Sequence, residues 1–279
     1  MKPAGVHPAG GHIEARSVVG EGSVFHVELV SAPSPQWAAG PEHLPAPAPR
    51  AAHASAPHHT VLCIEDNPAN LLLVDTLLAR RGDIHLLSAR DGPHGVELAR
   101  AEQPDVIVFL GDYIYEYGQV AGRVRLHEGG ATRTLDQYRA RYAQYKSDPA
   151  LQMAQAAAPW LITWDDHEVD NDYVGLQGQN LQPDFATQRA AAYQAWWEHM
   201  PVAKSLRPVG PDARIVGRYD WGDLARFILA DCRQYRSPQP CRDPIKGGGR
   251  VVVSCQESEA AERTMLGQAQ AQWLAQGLA

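Results

Sequence analysis

Two short stretches carry residue types that could hold a metal ion against a phosphate. The first is Phe109-Leu110-Gly111-Asp112-Tyr113-Ile114-Tyr115-Glu116. Asp112 brings a carboxylate and Tyr115, three residues on, a phenol; both are hard oxygen donors suited to a divalent or trivalent ion. By itself Gly-Asp-x-x-Tyr is explained equally well as an ordinary strand end followed by an aromatic loop. The second stretch is Asp165-Asp166-His167-Glu168-Val169-Asp170-Asn171-Asp172, in which Asp166 and His167 are the candidates. A two-metal phosphoesterase needs carboxylates to hold and bridge the ions and a histidine to meet the phosphate or the leaving group. A solvated acidic turn would explain the charges of the second stretch, but not why both stretches abut short apolar runs.

Those runs are the elements that must position the site. Val106 to Leu110 and Trp160 to Trp164 each read as a buried strand. An aspartate at the C-terminal mouth of a parallel strand points into the crevice where α/β proteins bind ligands. Between and beyond the runs the pattern turns helical. Thr134 caps a helix carrying Leu135, Tyr138 and Tyr142, and Asp148-Pro149 opens an Ala-rich one. Phe185, Ala192, Tyr193, Trp196 and Met200 recur at helical spacing before Pro201, an aromatic stripe read as core, with His199 structural. Arg214 to Tyr219 and Leu224 to Ala230 read as two antiparallel strands.

Upstream the composition changes twice. Residues 59–109 form a βαβαβ pattern: Val61 to Ile64, a helix opened by Pro68, Ile84 to Leu87, a helix capped by Asp91, and Asp105 to Phe109. Residues 31–58 are rich in Pro, Ala and Ser and read as an extended linker. Residues 10–30 hold two runs of alternating polarity around a Gly-rich turn, the mark of a β-hairpin.

Several of these stretches resemble known families. Leu110 to Glu116, Trp160 to Asp172, Ala190 to Pro201, Asp231 to Ser237 and Thr264 to Leu278 resemble the PhoD-like alkaline phosphatases, calcineurin-like metallophosphoesterases, over roughly residue 104 to the end. The resemblance implies a phosphoric ester hydrolase acting on a phosphate ester. Asp112 would bridge a calcium and iron pair, Tyr115 would bind the iron, Asp166 the second metal, and His167 would act at the scissile phosphate. Magnesium or manganese are alternative ions. In that family an N-terminal aspartate and cysteine and two later histidine-bearing loops also contribute ligands. Here residues 110–279 hold only His127, His167 and His199, so metal binding is expected to be weak and the activity impaired.

Residues 59–109 resemble the first half of a response-regulator receiver, with Glu65 and Asp66 as its magnesium-binding pair. Where that family has its phospho-accepting aspartate this chain has Leu110, which counts against the alternative function, phosphorelay signalling. If adjacent parallel strands end side by side, Glu65 and Asp66 would lie near Asp112 and form a three-carboxylate cluster. Residues 10–30 resemble the last hairpin of a histidine-kinase ATPase domain, placing Gly20, Gly22 and Ser23 near a nucleotide. Thirty residues cannot bury a nucleotide pocket, so no nucleotide site is expected. The fold class that follows is α/β: a parallel βαβαβ half-receiver sheet continuing into an incomplete metallophosphoesterase α/β layer structure, with an N-terminal β-hairpin. The domains are 1–30, 31–58, 59–109 and 110–279, and their mixed resemblances describe a truncated chimera, with a non-functional fusion as a further alternative.

The remaining composition narrows partners and compartment. A net charge of −7 gives a nucleic-acid partner no electrostatic support. No run approaches the length of a membrane span. The N-terminus, Met1-Lys2-Pro3-Ala4-Gly5, lacks a hydrophobic leader, so a cytoplasmic location is expected although the resembling phosphatases are usually exported. Cys63 and Cys232 read as small buried hydrophobes. Cys241 and Cys255 flank a Gly-rich loop and could pair in an oxidising compartment; in the cytoplasm they would stay thiols.

Overall fold

The computed structural model describes residues 5–6, 12–18, 22–28, 59–123, 125–222, 225–243 and 245–278. The chain divides into two compact units, Met1–His53 and Ala54–Ala279. In the first, β1 (Gly5–Val6), β2 (His12–Val18) and β3 (Gly22–Glu28) form an antiparallel sheet in that order, with Ser17 opposite Ser23 and Val18 opposite Gly22. The linker expected over 31–58 lies outside the described residues, as does Gly20.

The second unit begins with β4 (His59–Ile64), α1 (Pro68–Leu78), β5 (Ile84–Ala89) and α2 (Gly92–Glu102). Local chemistry sets these helix starts. Asn67 Oδ1 accepts from the Ala69 N–H at 2.9 Å and Asp91 Oδ1 from the His94 N–H at 2.8 Å, each with a proline in the first turn. β4 and β5 pair in parallel over six residues, from His59 opposite Ile84 to Ile64 opposite Ala89.

The third strand, β6 (Ile107–Phe109), does not continue that sheet. It pairs in parallel with β7 (Trp160–Ile162), and β4–β5 remains a two-stranded sheet of its own. The expected continuous half-receiver sheet is therefore corrected. Packing supplies the reason. Phe109 stacks on Trp160 with ring centroids 5.4 Å apart and lies against a large aromatic core. The β4–α2 segment buries only Ala89 and Gly95 and leaves Leu72, Leu73 and Leu77 exposed. Beside β7, Phe109 is withdrawn from water against this core, whereas the β4–α2 segment offers little buried apolar surface.

That core is built by α3 (Leu135–Lys146), α4 (Pro149–Ala157), β7 and α5 (Phe185–His199). Thr134 and Gln137 form a reciprocal capping box at the start of α3. Tyr138, Tyr142, Trp164, Phe185, Tyr193 and Trp196 are all buried, and Trp164 stacks face to face on Tyr193 at 4.3 Å. The aromatic stripe read from α5 is core along its whole length, with Met200 closing it. His199 Nδ1 lies 2.7 Å from the Ala195 carbonyl, a structural hydrogen bond. β8 (Gly217–Trp221) and β9 (Ala225–Leu229) form the antiparallel pair, and α6 (Gln268–Leu278) ends the unit. Among the described residues no helix is long and apolar enough to cross a membrane.

Candidate metal centre

The register of β6 on β7 creates the site. Phe109 lies opposite Ile162, and the Thr163 N–H donates to the Phe109 carbonyl at 3.1 Å, so both strands end at one level. The two loops then run so close that a side chain will not fit between them. A Cβ on Gly111 would lie 2.4 Å from the Asp165 backbone nitrogen, and Gly111 has φ +117°. Asp112 follows in the left-handed region at φ +56°, a conformation that costs a non-glycine residue about 1–2 kcal/mol. On the other side the chain turns helically at once, with the Val169 and Asp170 N–H groups donating to the Asp166 carbonyl at 2.8 and 2.9 Å.

The result is a cluster in which ligating atoms of Asp112, Asp166 and His167 all lie within 4.8 Å of one another. Tyr115 joins its edge: its hydroxyl donates to Asp112 Oδ2 at 3.3 Å, and its ring lies 4.2 Å from that of His167. The four residues singled out from the two motifs are thus brought together. Glu65 and Asp66 are not. They follow β4 in the other parallel sheet, where Glu65 accepts from the Asn67 N–H at 2.9 Å and Asp66 is exposed, so the expected three-carboxylate cluster with Asp112 does not form.

One feature tests whether these residues suit a cation. Asp112 Oδ1 is buried without a hydrogen-bond partner, an arrangement that is costly unless something electropositive meets that oxygen. Two carboxylates, a phenol and an imidazole around such an atom fit one hard or borderline ion.

The charges favour a cation at the carboxylates with a protonated imidazole beside it. Burial raises the Asp112 carboxyl above its ordinary range; His167 opposes the rise, while the charges of Asp166 and Asp165 add to it. Burial and the Asp112 carboxylate push the Tyr115 phenol well up, consistent with its donating to Asp112. Burial alone would lower His167, but the hydrogen bond and charge of Glu116, helped by Asp166 and Asp112, outweigh it and hold the imidazole at about 9.

Three residues not singled out from the sequence complete the architecture. Glu116 Oε2 lies 2.7 Å from His167 Nδ1, while its Oε1 accepts from the Asn171 N–H at 3.0 Å. A carboxylate behind a ligating histidine fixes the ring's orientation and leaves Nε2 to face an ion or a phosphate. Arg233 donates through Nε to Asp165 Oδ1 at 2.6 Å and holds Nη2 3.4 Å from Asp166 Oδ1. Glu168 is fully buried and accepts from two backbone N–H groups, Tyr113 at 2.6 Å and Asp165 at 2.9 Å. Burial lifts its carboxyl to about 7, with the two N–H donors pulling the other way. The available signal was position: Glu116 and Glu168 sit inside the two motifs and Arg233 inside the Asp231–Ser237 stretch.

Cys241, Cys255 and Glu257 also lie close together, but the two cysteines form a disulfide and offer no thiolate. Of the two readings left open for this pair, the structure forms the disulfide; the turn at Cys241, with φ +46°, brings the two ends of the Gly-rich loop together.

Comparison with known proteins places this geometry. A family model described as PhoD-like phosphatase matches residues 93–279. Alkaline phosphatase D of Bacillus subtilis (strain 168) is 45% identical over 181 residues, covering 62% of this chain and 30% of that protein. A solved structure titled "Structure of PhoD" superposes with a TM-score of 0.56 at 41% identity, covering 66% of this chain and 35% of the other. The chain therefore spans about a third of the length of the relatives it matches. With two thirds of its residues inside the family match, the chain belongs to the PhoD-like phosphatase family.

Proposed function

We propose that this chain carries part of a metal-assisted phosphoric ester hydrolase of the alkaline phosphatase type. Asp112 and Asp166 hold the ion, Tyr115 supplies a further oxygen, and His167 faces the scissile phosphate. The observation that carries this reading is the buried, unpartnered Asp112 Oδ1 within a cluster that also contains Asp166 and His167. A bound ion would polarise a phosphoryl oxygen. The chain's own contribution is orientation and proton control. Glu116 holds His167 by Nδ1, so Nε2 can donate to a phosphate or leaving-group oxygen. Arg233 fixes Asp165 and lies beside Asp166, keeping that loop in place.

Calcium and iron are the ions that family membership favours, with magnesium or manganese as substitutes. Two carboxylates and a phenol are few for a two-metal centre, so we expect this segment alone to bind weakly and turn over substrate at trace level. No activity is proposed for the receiver-like residues 59–109 or the kinase-like hairpin of 10–30; of these we read only the residues ahead of the family match, which begins at residue 93, as sequence of other origin. Acetyl phosphate should leave no acyl phosphate on Asp66 or Asp112; a stoichiometric label would favour phosphorelay signalling instead.

The test is a thermal melt with and without millimolar calcium or manganese, alongside p-nitrophenyl phosphate turnover. A ligand that binds only the folded chain raises its melting temperature by mass action. We expect an upward shift that vanishes in Asp112→Asn, with at most trace turnover. A melt indifferent to every metal would overturn the proposed site. Full turnover would overturn the proposed impairment.

A further inference from the structure

The two ligand-bearing loops come from strands far apart in sequence, and a single side chain ties them together. Glu168 Oε1 accepts from the Tyr113 N–H and Oε2 from the Asp165 N–H, at 2.6 and 2.9 Å. Tyr113 follows Asp112 directly, and Asp165 directly precedes Asp166. Oε1 therefore fixes the Asp112–Tyr113 peptide, which flanks one carboxylate ligand, and Oε2 the Trp164–Asp165 peptide, one residue before the other. The tie is fully buried, so water does not stand in for either bond.

The same junction is the one that Gly111 leaves no room to fill, since a Cβ added there would lie 2.4 Å from the Asp165 nitrogen. Asp112 sits there with positive φ, a conformation that persists in a non-glycine residue only where its surroundings over-determine it. The bond from the Tyr113 N–H is one such restraint, applied to the Asp112–Tyr113 peptide itself. A carboxamide in place of the carboxylate would turn an NH2 group towards one of the two N–H donors, and that bond would be lost.

We propose that Glu168 is a positioning residue for the metal cluster, holding Asp112 and Asp166 at ion-binding separation without touching the ion. The proposal rests on the metal reading given above. It is tested on the full chain with Mn2+ as the probe, following loss of the free-ion electron paramagnetic resonance signal, and with amide hydrogen exchange read at Tyr113 and Asp165.

In the wild type both amides should exchange slowly. In Glu168→Gln at least one of the two should exchange at least tenfold faster while amides in the cores of α3 and α5 keep their protection. The apparent Kd for Mn2+ should rise at least tenfold and the bound-ion spectrum should change. A purely structural glutamate would lower the melting temperature and leave the affinity and spectrum of the folded fraction unmoved, which would overturn the proposal alone. Should Glu168→Gln fail to fold, Glu168→Asp, too short to reach both N–H groups, is judged by the same tenfold criterion. Rapid exchange of both amides in the wild type would overturn the tie whatever the variants do. A wild-type chain that binds no Mn2+, or binds it equally well as Asp112→Asn, would overturn the metal reading and the positioning role with it, even with both amides protected.

Discussion

Gly111 and Asp165 belong to different strands' loops, yet a methyl group on the first would lie 2.4 Å from the backbone nitrogen of the second. This contact sets how closely the Asp112 and Asp166 loops approach, and it makes Gly111 a structural requirement of the Asp112–Asp166–His167 cluster.

Gly111→Ala should therefore destabilise the second unit by roughly 2–4 kcal/mol, combining backbone strain at positive φ with overpacking against main chain that cannot swing aside. Denaturant melts followed by tryptophan fluorescence would measure it. The folded fraction should also lose its metal-induced rise in melting temperature. A variant as stable as wild type, with the metal response intact, would show that the loops have slack that this geometry denies.

A second expectation concerns acid. Arg139 donates two hydrogen bonds of 2.6 Å to the two oxygens of Glu198, tying α3 to α5. Chiefly through that bond, and despite some burial, the Glu198 carboxyl is held down at about 2. A carboxyl depressed in the folded state stabilises it above the unfolded value, about 4.3, and loses that contribution as pH falls towards 2. Glu198→Gln should cost about 0.5–1 kcal/mol at pH 7, the screened range for a well-formed pair at a protein surface. The gap between the two proteins should close between pH 4.5 and 2. A gap that stayed constant with pH would assign the effect to packing instead of charge.

The disulfide gives a third. Cys241 and Cys255 are 14 residues apart, and closing a loop of that size stabilises a fold by about 3 kcal/mol in the chain-entropy model. Reduction, or Cys241→Ser with Cys255→Ser, should lower the melting temperature by about 5–10 °C. The metal response should survive, because neither cysteine belongs to the Asp112 cluster. Equal melts with and without reductant would mean the loop adds nothing to the cooperative unit.

Sequence alone picked out four residues that the structure brings together. Asp112, Tyr115, Asp166 and His167 lie at the ends of apolar runs, and a strand end delivers its next residues to one edge of the sheet wherever that sheet sits. Helix starts at Pro68, Asp91 and Thr134 were legible because a first-turn proline or a cap acts within three residues. The aromatic stripe of α5 was legible because helical spacing alone puts it on one face. Partnership was not legible. The pattern of β6 marks it as a strand, although Ile107 and Phe109 are only half-buried and Val108 and Leu110 are exposed, and it carries no information about which strand lies beside it; beside β7, Phe109 meets Trp160 and the aromatic core. Nor could spacing show that Glu116 meets His167 across 51 residues, Glu168 meets Tyr113 across 55, or Arg233 meets Asp165 across 68. Such bonds depend on the fold having already closed, and a lone glutamate or arginine in a polar loop looks the same in sequence whether it faces water or a buried partner. Tertiary structure alone decided which strand β6 joined and which charged side chains hold the metal loops in place.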